Sequence, residues 1–130
     1  MARAEAAALC YGELACLSQE RSQPLMRDRF LLLAAAAACR AGWPEVAEEC
    51  HGLLRTFAPQ HQAARFVTIA DGLRDAEFAK VVQHWERFCP MERAEMLLTE
   101  LGTADVLDAD DPDAAEALLQ RLQRTFPVSG

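Results

Sequence analysis

Apolar positions in this chain recur at steps of three and four, the spacing that lays one hydrophobic stripe along a helix. In residues 3–19, Ala6, Cys10, Leu14 and Leu17 share a face. The connection ends at Gln23-Pro24. A second segment, 25–41, is apolar nearly all round between Arg29 and Arg40, as expected of a helix with neighbours on several sides. Gly42-Trp43-Pro44-Glu45 is a stop followed by a start: glycine suits the residue past a helix end, while proline and an acidic side chain suit a first turn. The third predicted helix runs to Phe57 with Val46, Cys50, Leu53, Leu54 and Phe57 inward, and Ala58-Pro59 closes it.

A fourth helix over 60–73 would offer Ala63, Phe66, Val67, Ala70 and Leu73 to the core. Asp75 is the candidate N-cap of a fifth, which turns Phe78, Val81, Val82, Trp85 and Phe88 inward. Pro90 opens the sixth, with Ala94, Leu97, Leu98 and Leu101 inward, and Gly102 stops it. After the one long connection, Thr103 to Asp111, the run Asp111-Pro112-Asp113 predicts an N-cap and first turn. The last helix then buries Ala115, Leu118, Leu119, Leu122 and Phe126. Short connections make sequential helices antiparallel neighbours. The expected fold is all-α with about seven helices. It is a single domain over 1–130, with an extra N-terminal helix over 3–19 and stacked hairpins over about 25–57, 60–88 and 91–126.

Composition supports the class. Alanine (25) and leucine (17) dominate the 130 residues, whereas valine (6), isoleucine (1) and threonine (5) are too few to furnish a sheet. The formal charge of −7, with basic residues scattered singly, argues against nucleic acid, which needs a local cationic footprint. Met26-Arg-Asp-Arg followed by ten apolar residues, Phe30 to Cys39, has the outline of an internal signal peptide. Ten helical residues rise only about 15 Å, half a bilayer core, so a buried central helix is expected and no membrane partner. The five cysteines are odd in number with no CxxC pair, which favours reduced thiols and a cytoplasmic setting.

Three helices end alike: Leu54-Arg55-Thr56-Phe57-Ala58-Pro59, Glu86-Arg87-Phe88-Cys89-Pro90 and Gln123-Arg124-Thr125-Phe126-Pro127. The phenylalanines lie 31 and 38 residues apart, the length of a two-helix unit, and each would plug the end of a helix pair. Here the chain resembles the tetratricopeptide-type repeat, in which a small residue early in the second helix precedes a proline by twelve positions. Ala47 with Pro59 and Ala115 with Pro127 fit that spacing, and Ala79 with Pro90 misses it by one. The family's usual aromatic falls at His51 and Gln83, and its later alanine at Leu54 and Glu86. The segment Pro90 to Gly102 is also similar to the C-terminal part of small uncharacterised bacterial proteins.

Candidate chemistry is sparse. Asp105, Asp108, Asp110, Asp111 and Asp113 invite a calcium reading, but an EF-hand loop from Asp108 would need glycine where Asp113 stands and a carboxylate where Leu119 stands. A solvated loop that caps a helix is expected. Cys50, Cys89 and His84 are the residues from which a thiol- or metal-dependent site would have to be built. Helical phase sets Cys50 with Val46 and Leu53, but His51 with Glu48 and Arg55, and neighbouring side chains diverge by about 100°. No phosphate loop, GxSxG elbow or HExxH motif occurs, and no cofactor is expected. Trp85 reads as core; Trp43, in a turn before proline, either staples two hairpins or stands exposed as an anchor.

The expected function is a non-enzymatic module that binds another protein or peptide, because stacked hairpins present an extended surface. In the repeat register, the first helix of each hairpin exposes Arg29 and Arg40, then His61, Thr68 and Asp71, as binding residues. The alternatives are the thiol or metal protein above and a homodimeric bundle capped by its own apolar surfaces.

Overall fold

A computed structural model describes residues 3–103 and 108–127. The described chain is all-α: α1 (Arg3–Glu20), α2 (Pro24–Ala41), α3 (Pro44–Phe57), a 3-10 turn (Gln62–Arg65), α4 (Ile69–Arg74), α5 (Ala76–Phe88), α6 (Met91–Glu100) and α7 (Ala114–Thr125). The antiparallel pair α1–α2 forms the centre. On α2 lie α3, α4 and α5; on α1 lie α6 and α7, and α7 also reaches α3.

Local sequence sets the helix ends. Gly42, at φ +77°, terminates α2, and the amide of Trp43 reaches back to the carbonyl of Ala38 at 2.9 Å. A Cβ would strain that left-handed residue. Gly102 repeats the device after α6, with Thr103 N–H on the Leu98 carbonyl at 3.0 Å. The predicted buried central helix is present: Phe30 through Ala38 are all buried, and the alanines let neighbouring backbones come close. No helix among the described residues is long and apolar enough to cross a membrane.

Glycine also sets the closest approach between helices. A Cβ on Gly12 would stand 2.6 Å from Cδ1 of Leu118, so α7 rests on bare α1 backbone. One turn on, Arg121 grips Glu13 in a bidentate pair, with both N–O distances 3.0 Å. It also reaches Glu20 at 3.0 Å and the Thr125 hydroxyl at 2.9 Å. Bonds to Glu13 and then Glu20 hold the guanidinium charged well beyond the ordinary arginine range. Because Gly12 meets Leu118 and Glu13 meets Arg121, α7 runs parallel to α1.

Four expectations are corrected. The helix predicted over 60–73 is broken into the 3-10 turn, an extended Phe66–Thr68 and the short α4. The Thr68 side chain accepts the Asp71 amide and starts α4 late, leaving Val67 76% exposed. In place of a hairpin over 91–126, α6 and α7 each pack on α1. The start of α7 falls at Ala114, because the Asp111 carboxylate accepts the Asp113 amide at 2.8 Å in a turn before the helix. Finally, Phe57, Phe88 and Phe126 are not equivalent: Phe57 and Phe126 meet edge to face at 5.7 Å, while Phe88 is 67% exposed.

Trp43 is half-buried against the core and faces Ala115 and Leu119 of α7, so it staples elements together. His51 was expected on a solvated face, yet it is buried. Its Nε2 donates to the Ala63 carbonyl at 2.8 Å, the only role a carbonyl partner permits, and Nδ1 lies 3.7 Å from Glu48. The 3-10 turn thus covers what would otherwise be the polar side of α3.

Candidate interaction surface

The last two turns of α5 carry three rings in mutual contact. His84 and Trp85 lie 4.8 Å apart between centroids, His84 and Phe88 5.4 Å, and Trp85 and Phe88 5.7 Å. Helical phase explains why they crowd the surface. Phe78 and Val82 point inward, and continuing that stripe by three or seven residues reaches Trp85 and Cys89. Phe88 sits one residue short of the inward position and is rotated out. Cys89 stays half-buried, and its carbonyl accepts the Tyr11 hydroxyl at 2.6 Å, which pins the end of α5 to α1.

From α2 the ridge is extended by Arg29, whose guanidinium carbon lies 4.3 Å from the centroid of Trp85. Arg29 also approaches the Met26 sulfur at 3.9 Å. On its other side Met26 lines a groove of about 280 Å³ between α1, α2 and α6, with Leu14, Leu17, Phe30, Leu97 and Leu101 and the charged Arg21 and Glu100. A partly exposed aromatic ridge therefore adjoins a groove with a mainly apolar lining.

The five residues predicted to bind are dispersed, and each already has an intramolecular partner. Arg29 covers Trp85, and Arg40 pairs with Glu86, so both tie α2 to α5. His61 accepts the Ala63 amide through Nδ1 at 3.0 Å, and burial lowers its pKa. Thr68 caps α4, and Asp71 pairs with Arg74 at 2.9 Å. Sequence reasoning placed Trp85 and Phe88 in the core; Trp85 does pack against it, half-buried, and Phe88 does not. The available signal was the phase of Phe88 against Phe78 and Val82, together with the one-residue slip of Pro90 in the repeat.

Cys50, Cys89 and His84 do not assemble. Among the described residues, no group of three or more His, Cys, Asp or Glu is placed to hold a metal ion. Cys50 is fully buried, and burial, with lesser contributions from Cys16 and Glu49, pushes its thiol far up. Burial also raises Cys89, and takes Cys10 and Cys16 to about 11, so these thiols are held protonated and poorly nucleophilic. Of the acidic run, Asp105 lies outside the described residues. Asp108 and Asp111 accept the amides of Asp110 and Asp113, which makes them turn formers.

Comparison with family models, curated proteins and solved structures finds no match to this chain.

Proposed function

We propose that the protein is a non-enzymatic helical module that binds another protein through the ridge of His84, Trp85 and Phe88. The observation that carries this is the three-ring cluster in which His84 and Phe88 are exposed over a half-buried Trp85: aromatic side chains with one open face are what interface anchors are made of. The resemblance to tetratricopeptide hairpins supports the same reading through the α2–α3 pair, where Ala47 is buried and Phe57-Ala58-Pro59 closes the unit. Five free thiols suit a reducing, cytoplasmic setting. The thiol or metal alternative has less behind it, since its residues are scattered and its thiols suppressed.

A photo-crosslinking amino acid placed at position 88 of the full chain in its host, with the exposed Val67 as control position, tests the reading. Position 88 is expected to yield a discrete protein adduct that Trp85→Ala removes. An adduct joining two copies of this chain would replace the proposal with the homodimeric bundle. Equal labelling at 67 and 88, or none, would defeat it.

A further inference from the structure

Resting on that interface, we propose that its partner is an acidic amphipathic segment: a large apolar side chain that enters at the ridge, flanked by aspartate or glutamate. The exposed stripe of α5 runs Lys80, His84, Arg87 and Phe88, spaced i, i+4, i+7 and i+8, so basic and aromatic side chains share one face. The carboxylates on and next to α5 are already engaged. Glu86 turns across to Arg40, Glu77 lies 3.9 Å from Lys80, and Glu92 has a partner of its own. Arg87 is exposed and makes no ion pair among the described residues. Arg93, close enough to Cys89 to act on its thiol, adds a further positive charge beyond the end of α5, and Arg29 stands over Trp85.

A chain of formal charge −7 therefore sets Lys80 and Arg87 on the same stripe as its exposed Phe88. A carboxylate beside an apolar anchor would meet Arg87 while the anchor packs on Phe88 and Trp85. A second copy fits poorly, because an isologous contact centred on His84 would set Lys80 of each copy against Arg87 of the other. Nucleic acid gains only a short cationic strip and faces the repulsion of the rest of the chain.

Selection of a random displayed peptide library on the full chain tests this. Wild type is expected to enrich peptides with acidic residues beside leucine or an aromatic. Binding of those peptides should fall about tenfold or more in Arg87→Glu and in Phe88→Ala, with unchanged circular dichroism and melting. Raised salt should weaken binding, and phosphatidylserine vesicles and single-stranded oligonucleotide should not displace the peptide. Enrichment without acidic bias, with Phe88→Ala still abolishing binding, would overturn the acidic preference and leave the interface standing. Displacement by vesicles or oligonucleotide would mark a general anion surface and overturn the proposal. No enrichment, or indifference to Phe88, would overturn both.

Discussion

The endings Arg-Thr-Phe of α3 and α7 and Arg-Phe of α5 are nearly the same words in different surroundings. Phe126 lies four residues beyond Leu122 and eight beyond Leu118, in step with the buried stripe of α7, and it meets Phe57 edge on. Arg27 then covers Phe57 at 4.9 Å. Phe88 is out of step with Phe78 and Val82, and it stays 67% exposed among the described residues. The lesson is that a helix-ending motif prepares a ring to be used. Phase and the opposite element decide whether it serves stability or contact.

The largest test of this contrast is a pair of truncations. Phe126→Ala is expected to cost about 3–5 kcal/mol in urea unfolding, whereas Phe88→Ala costs less than about 1 kcal/mol. Equal losses would mean that the α5 ending is a plug after all. On the closed side, Arg121→Met leaves Glu13, a nearly buried carboxylate, without its bidentate partner and is expected to cost about 3 kcal/mol. Adding Glu13→Leu should recover much of that, and a failure to recover would place the role of Arg121 elsewhere.

Where α3 meets the 3-10 turn, His51→Leu removes one of two donors on the Ala63 carbonyl, leaving the Phe66 amide at 3.3 Å, and is expected to cost about 1 kcal/mol. Amide exchange in 62–69 should rise more than in α1. The smallest effect is at Glu20. Its bond to Arg121 depresses its pKa below the ordinary 4.5, so its contribution is present above that value and is lost as pH falls through the depressed one. Glu20 is half exposed, so Glu20→Gln should cost under about 1 kcal/mol at pH 7. The gap from wild type, followed by thermal melts, should close in acid; a constant gap would show that no proton is linked.

Much of the architecture was legible because it is written locally. The stop at Gly42, the proline start of α3, the ends at Phe57 and Phe88 and the all-round burial of Phe30 to Ala38 follow from composition and periodicity alone. The fate of 60–73 was not. Thr68 accepts a local amide that competes with helix continuation, and apolar spacing does not report that competition. His51 misled for a different reason: phase gives the side of a helix, and only the fold shows that a turn lies over it. The binding surface was sought among Arg29, Arg40, His61, Thr68 and Asp71 because charged residues stand out in a sequence; Arg29 lies on the ridge, over Trp85, and the other four have partners within the molecule. Of the ridge, Phe88 read as core and is exposed, whereas Trp85 does pack against the core and His84 never read as core.

The bare backbone at Gly12 carries a consequence for ancestry. Gly12, Glu13, Leu118 and Arg121 form one lock, and each is hard to exchange while the others stand. Distant kin of this fold should keep that quartet together long after the phenylalanine-proline corners have drifted. Kinship is better sought by the paired change of a glycine-glutamate step early and a leucine-x-x-arginine step late than by any count of corners.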